Sequence, residues 1–274
     1  MPELPEVESV VQAMNGAGVA GSRIESVQVF WPRSVGGDTR WFERAVTGQR
    51  IVGVSRRGKF IRLDLSRGAV LVHLRMSGMI SVAPCGPPPR LHDRAILTLE
   101  PSRELRFHDP RKFGRMLYYE DPEERLGQLG PEPLDEGWGP VVLQQILGNR
   151  KRMIKPLLLD QERVAGLGNI YADEALWLAQ VHPERRAGDL SPEVVARLAV
   201  ALREVLLQGI RNGGTRLGSG MGNFGGLDLN PANQHALRVF RRAGLPCPRC
   251  GTTLERLIVG GRSSHICPRC QRLR

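Results

Sequence analysis

No stretch of the 274-residue chain is apolar for the roughly 18–20 residues that a membrane helix needs, and no charged-then-apolar leader opens it. Internal repeats are absent. Cysteine is scarce, with five residues, and four of them crowd into the last 28 positions. These absences lead to the expectation of a cytoplasmic protein in a reducing compartment, where clustered thiols bind metal in preference to forming disulfides. Acidic residues are in deficit, 28 Asp and Glu against 39 Lys and Arg, so the formal net charge is +11. That imbalance points to a polyanionic partner, most often nucleic acid. A hydrophobic share of 41% with 24% charged residues excludes wholesale disorder. The length suits one large domain or two smaller ones.

What is present falls into two parts. Val7, Val10, Val11 and Met14 recur at helical spacing and Asn15-Gly16 supplies a stop. Alternating runs follow. Ile61, Leu63 and Leu65 enclose Arg62 and Asp64, while Val70, Val72, Leu74 and Met76 share one face opposite Leu71, His73 and Arg75. Short strands between Gly, Pro and Ser clusters predict a sandwich or barrel. The breaker-rich stretch from Leu129 to Pro140 reads as a linker. Beyond it the period is helical, with helices expected near 141–147, 153–159 and 169–179. The longest opens at Ser191-Pro192-Glu193, buries Val195, Leu198, Leu202 and Val205, and ends at Gly213-Gly214. Gly218 to Gly226, five glycines in nine residues, reads as a mobile loop.

Cys247-Pro-Arg-Cys250 and Cys267-Pro-Arg-Cys270 enclose sixteen residues. Two thiolates on a tight turn make half of a tetrahedral site and a hairpin brings the other half opposite, so the spacing predicts four-cysteine zinc. With all four positions filled by thiolate, the metal is structural and stabilises this small module by about 10 kcal/mol. At the other end, removal of Met1 leaves Pro2 with a secondary amine whose pKa is about 8. Such an amine attacks an aldehyde carbon and gives an iminium, an electron sink for eliminations. Glu3 and Glu6 flank it and could divide acid and base roles, or could simply start a helix whose dipole favours them.

The opening Pro2-Glu3-Leu4-Pro5-Glu6-Val7-Glu8, taken with the C-terminal cysteine hairpin, resembles the formamidopyrimidine-DNA glycosylase family, bacterial enzymes that remove oxidised purines such as 8-oxoguanine. The resemblance recurs in order at Arg56-Arg57-Gly58-Lys59-Phe60, His73-Leu74-Arg75-Met76-Ser77-Gly78 and Asp109-Pro110-Arg111-Lys112-Phe113-Gly114. It continues at Leu129-Gly130-Pro131-Glu132-Pro133, Lys155-Pro156 and Gly166-Leu167-Gly168-Asn169-Ile170-Tyr171, and so spans the chain. It implies an α+β protein of two domains. Residues 1–130 would form a catalytic β-sandwich with flanking helices and 131–233 a helical helix-two-turn-helix DNA-binding domain. Residues 234–274 would form a zinc-finger β-hairpin holding one structural Zn2+. The implied activity is that of a bifunctional DNA glycosylase and abasic-site lyase of base excision repair. It would excise 8-oxoguanine and formamidopyrimidines from duplex DNA through a Pro2 Schiff base, then β,δ-elimination. The partner would be double-stranded DNA carrying oxidised bases, met by a monomer without membrane attachment in the bacterial cytoplasm at the nucleoid.

Residue by residue, the resemblance makes Pro2 the nucleophile, Glu3 the acid that assists sugar-ring opening, Glu6 an ordering acid and Lys59 a contact to the phosphate beside the lesion. Asn169, Arg262 and Lys155 would bind phosphates, although Asn169 also reads as a helix N-cap. Met76, Arg111 and Phe113 would fill the gap left by the extruded base, the arginine facing the orphaned cytosine. For Met76 and Phe113 core packing is the competing reading. His73 would bond a phosphate or serve as a structural histidine. Val239-Phe240-Arg241-Arg242 departs from the family's Val-Tyr-Gly-Arg, which bears on base preference. Two other readings compete: the related pyrimidine-specific endonuclease VIII-like branch, and a non-catalytic zinc protein that binds bent or damaged DNA.

Overall fold

Helix α1 (Leu4–Gly16) buries Val7, Val10, Val11 and Met14 along one stripe, as their spacing demands. Eight strands follow in a computed structural model that describes residues 1–217 and 229–273. They are β1 (Ile24–Val29), β2 (Ile51–Arg57), β3 (Phe60–Leu65), β4 (Ala69–His73), β5 (Met79–Pro84), β6 (Asp93–Leu99), β7 (Arg103–His108) and β8 (Arg115–Tyr119). Helix α2 (Thr39–Val46) intervenes between β1 and β2, capped by Asp38, which accepts the Trp41 N–H at 2.8 Å. Helix α3 (Glu123–Leu126) follows β8.

The strands form two four-stranded antiparallel sheets, in the orders β1-β6-β7-β5 and β2-β3-β4-β8. One apolar cluster takes side chains from both: Ile61, Leu63, Val70 and Val72 from one sheet, Leu97, Leu105 and Phe107 from the other, with Val7 and Val10 of α1. Two sheets sharing one core make the sandwich that the alternating pattern predicts. In β3 the alternation is clean, with Ile61, Leu63 and Leu65 buried and Phe60, Arg62 and Asp64 half-buried. In β4 it is not, because all five residues are buried. The strand also stops at His73, so residues 75–77 turn rather than continue the alternation. Gly78 closes that turn, donating its N–H to the Leu74 carbonyl at 2.9 Å. A Cβ there would lie 2.4 Å from the same oxygen, so only glycine fits.

Residues Met1–Gln128 and Gly213–Ala232 make one unit; Leu129–Asn212 and Asn233–Arg274 make the other. The second unit holds α4 (Pro140–Leu147), α5 (Ile154–Leu158), α6 (Asn169–Leu178) and α7 (Pro192–Arg211), then β9 (Glu255–Val259) paired with β10 (Arg262–Ile266). Ser191 and Pro192 start α7, and Val195, Leu198, Leu202 and Val205 are its buried stripe. Every residue of α6 from Ile170 to Trp177 is buried. Gly209 of α7 meets Tyr171 of α6 so closely that a Cβ would sit 2.6 Å from the ring. No helix among the described residues is long and apolar enough to cross a membrane. The glycine-rich stretch expected at Gly218 to Gly226 lies outside the described residues.

Candidate functional site

Pro2, Glu3 and Glu6 are all buried at the start of α1. Glu3 occupies the N-cap and forms a reciprocal capping box with Glu6. The Glu3 side chain accepts the Glu6 N–H, and Glu6 Oε2 accepts the Glu3 N–H at 2.8 Å. Glu6 Oε1 accepts the Thr215 N–H at 2.7 Å. Both Glu6 oxygens therefore fix backbone, which suits an ordering role. The helix-start reading and the acid reading of Glu3 coexist: the cap holds its carboxyl within one residue of the proline nitrogen. That nitrogen is an amide while Met1 is attached and a secondary amine once Met1 is gone.

Lys59 is buried at the turn joining β2 to β3. His73 ends β4 opposite Phe60, whose ring meets the imidazole edge-on with centroids 4.9 Å apart. Burial, then the positive charges of Arg75, Lys59 and Arg125, push the imidazole down to about 3. It is neutral at physiological pH. Nδ1 accepts the Arg75 N–H at 3.1 Å, so the proton sits on Nε2 and leaves a donor there.

The turn at 74–78 and the loop at 109–114 are tied by one carboxylate. Asp109, 1% exposed, accepts the Ser77 hydroxyl, the Arg111 N–H at 3.2 Å and the Gly114 N–H at 2.7 Å. Its own carbonyl accepts from Arg94 Nε at 2.7 Å. Met76 is 52% exposed and Phe113 49%, which removes the core-packing reading of both. The Arg111 guanidinium lies 5.1 Å from the Phe113 ring centroid. Two apolar side chains and an arginine thus project from linked loops, the equipment for wedging into a base stack. Sequence reasoning missed Asp109 as the organiser; its only signal is an acid before proline at a turn.

In the second unit Asn169 is not an N-cap, since Gly168 holds that place. Its Nδ2 instead donates to the Ser263 carbonyl on β10 at 2.9 Å, and the amide keeps a second N–H beside the helix N-terminus. Arg262 starts β10 and is exposed. Lys155, expected to contact DNA, requires a correction. It is 0% exposed, and its ammonium donates to Asp173 at 2.6 Å, the Ser263 carbonyl at 2.7 Å and Ser264 Oγ at 2.7 Å. Asp173 also accepts the His265 N–H at 2.9 Å. A cation so enclosed positions β10 against α6 and cannot reach a phosphate itself. Lys155→Met should therefore lower stability by about 3–5 kcal/mol, the cost of leaving a buried carboxylate without its partner. Urea unfolding tests this; unchanged stability with a weaker salt dependence of binding would restore the surface-contact reading. Glu174, also missed, accepts the N–H groups of Arg238, Val239 and Phe240 at 2.8–2.9 Å.

The four thiols of Cys247, Cys250, Cys267 and Cys270 lie within 4.8 Å of one another. Sulfurs tetrahedrally arranged at a Zn–S distance of about 2.3 Å are about 3.8 Å apart, and the Cys250–Cys267 and Cys250–Cys270 pairs stand at 3.5 Å. Hydrogen bonds from Thr252 hold the Cys250 thiol down to about 6, while burial, with Cys250 and Cys267 beside it, pushes Cys270 up to about 12. The donor set fits one closed, structural zinc. Arg249 joins the module to α6, donating to the carbonyls of Trp177 at 3.2 Å and Leu178 at 3.1 Å over the Trp177 ring.

Comparison with known proteins covers the same ground. Residues 1–116 match the formamidopyrimidine-DNA glycosylase N-terminal domain, 129–220 the H2TH domain of the same family, and 244–273 the zinc finger found in FPG and IleRS. A formamidopyrimidine-DNA glycosylase of Protochlamydia amoebophila (strain UWE25) is 43% identical over 275 residues, 99% of this chain and 100% of its own length. One from Lactiplantibacillus plantarum is 40% identical over 278 residues, 100% of both. A Lactococcus lactis Fpg variant bound to Fapy-dG-containing DNA superposes with a TM-score of 0.91 at 33% identity, covering 99% of this chain and 100% of that one. A MutM complex with DNA carrying carbocyclic 8-oxo-G gives 0.90 at 33% identity, with the same coverage.

Proposed function

The chain belongs to the formamidopyrimidine-DNA glycosylase family, DNA glycosylases of base excision repair, and from that premise we propose that it is a bifunctional glycosylase and abasic-site lyase acting on oxidised purines in duplex DNA. The single observation that carries this reading is the buried Pro2–Glu3 pair at the cap of α1, with Glu6 held by both its oxygens. The Pro2 amine bonds to the sugar C1′ as the base departs with its electron pair, and the proton released from the nitrogen passes to the departing base. Glu3 delivers a proton to the ring oxygen, the ring opens, and the nitrogen becomes an iminium. The iminium acidifies the C2′ proton, whose loss expels the 3′ phosphate; a second elimination expels the 5′ phosphate.

The remaining roles are proposals of the same reading. Lys59 and neutral His73 donate to backbone phosphate near the reacting sugar, and Asn169 and Arg262 grip phosphates from the second unit. Met76 and Phe113 wedge the stack while Arg111 faces the unpaired cytosine. Residues 1–130 supply the chemistry, 131–233 the helix-two-turn-helix grip and 234–274 the zinc finger, in a monomer working at the nucleoid. The relatives solved with Fapy-dG and carbocyclic 8-oxo-G support the purine preference. A wild-type Lactococcus lactis Fpg solved with an oxidised pyrimidine, at a TM-score of 0.88, supports testing that class beside it.

Borohydride reduction during turnover tests the chemistry, because an iminium is reducible. A covalent protein–DNA species is expected with an 8-oxoguanine·cytosine duplex, in greater yield than with an oxidised-pyrimidine duplex. Protein that binds and extrudes the base yet yields no trapped species would overturn the enzyme reading.

A further inference from the structure

Residues Val239 to Arg242 close a four-residue turn, the Arg242 N–H donating to the Val239 carbonyl at 3.0 Å. The third residue of that turn, Arg241, has φ +59°, the left-handed region that glycine occupies without strain and that side chains with a Cβ enter rarely. The conformation is imposed from below. The Glu174 carboxylate draws in the N–H groups of Arg238, Val239 and Phe240 in succession, which curls the chain tightly just before Arg241. A glycine would relieve the turn, yet an arginine stands there, exposed, with no carboxylate partner among the described residues. Strain kept at a position where a simpler residue would remove it points to a use for the side chain.

Its surroundings say which use. Phe240, the preceding residue, packs edge-on against His265 with ring centroids 5.0 Å apart. His265 lies three residues along β10 from Arg262, about 10 Å at the rise of a strand. One DNA strand presents a phosphate about every 3.4 Å of helix axis, so basic groups about 10 Å apart can meet different phosphates of the same strand. The Glu174 carboxylate that anchors the turn belongs to α6, the helix that Asn169 begins. Arg241 therefore stands on a rigid turn fixed to the two elements that carry Asn169 and Arg262.

We propose that Arg241 is an additional phosphodiester contact, extending the grip of Arg262 and Asn169 along one strand. The proposal rests on the DNA-binding reading above. It concerns affinity and footprint, leaving the reaction at Pro2 untouched.

The test is fluorescence anisotropy of the zinc-loaded, full-length protein on a duplex holding a tetrahydrofuran abasic site, titrated from low to high salt. Wild type and Arg241→Gly, Arg241→Gln and Arg241→Lys are compared, with thermal melting of each. The glycine and glutamine variants should bind about five- to tenfold more weakly near 0.1 M salt and lose about one unit from the slope of log affinity against log salt. The lysine variant should keep that slope. The glycine variant should melt no lower than wild type, because it relieves the left-handed turn. An unchanged slope in the glycine and glutamine variants, with tight binding by wild type, overturns the Arg241 contact alone. A melting temperature several degrees lower for glycine assigns the arginine to the fold and also overturns it. Failure of wild type to bind the duplex at all would bring down the DNA-binding reading and this contact with it.

Discussion

A chain that retains Met1 ahead of Pro2 should lose base excision, strand cleavage and the borohydride-trapped adduct together, while binding a tetrahydrofuran duplex as the processed chain does. The reason is electronic. With Met1 attached, the Pro2 nitrogen is a tertiary amide whose lone pair is delocalised into the carbonyl, and it cannot attack carbon. The two neighbouring carboxylates are already engaged, the Glu3 side chain capping α1 and Glu6 accepting the N–H groups of Glu3 and Thr215. Glu3→Gln separates the roles further. It keeps the amine and can keep the cap, because an amide oxygen still accepts the Glu6 N–H, but it has no proton to deliver. Excision should fall by about 10²–10⁴-fold, the usual contribution of a positioned acid. Binding should stay unchanged. Mass spectrometry of the N-terminus beside single-turnover kinetics checks both. Full activity in a chain proven to carry Met1 would remove Pro2 from the mechanism.

The parts of this site that are legible in the sequence are those set by short-range geometry. The stripe Val7–Met14, the alternation of Ile61, Leu63 and Leu65 and the two Cys-x-x-Cys turns each lie within a few residues, so spacing alone declares them. Met76 illustrates the limit. Alternation from Val70 places it with the core, but β4 stops at His73, and the turn beyond is held by Ser77 bonding to Asp109, thirty-two residues away. Lys155 fails in the opposite sense. A lysine in a basic chain reads as a DNA contact, whereas its partners Asp173, Ser263 and Ser264 come from distant segments that only folding brings together. Asp173 and Glu174 are adjacent acids that sequence alone leaves without roles. In the fold one holds β10 and the other the turn before the zinc module.

Removing the metal should abolish duplex binding while leaving the sandwich folded, and the path of that loss can be followed residue by residue. Among the described residues the zinc module has a core of Trp177, Val239, Cys247, Leu254 and Cys267, with Leu178, Cys250 and Cys270 against it. That is too little apolar surface to hold a hairpin without the roughly 10 kcal/mol that four-thiolate zinc contributes. Once β9 and β10 loosen, Arg262 loses its strand, and Ser263 no longer receives the Asn169 amide or the Lys155 ammonium. The damage reaches α6 at both ends, because Arg249 bonds the carbonyls of Trp177 and Leu178 at its C-terminus. The core shared by α1 and the two sheets depends on none of these residues. Chelation and Cys267→Ser should therefore give the same result: circular dichroism of the strands retained, anisotropy on a tetrahydrofuran duplex flat, and zinc restoring the chelated protein but not the serine variant. Acid should mimic chelation, since all four thiols must be held as thiolates for the metal to bind and protons compete for them. Tight duplex binding by protein shown by metal analysis to be zinc-free would sever the hairpin from the phosphate grip.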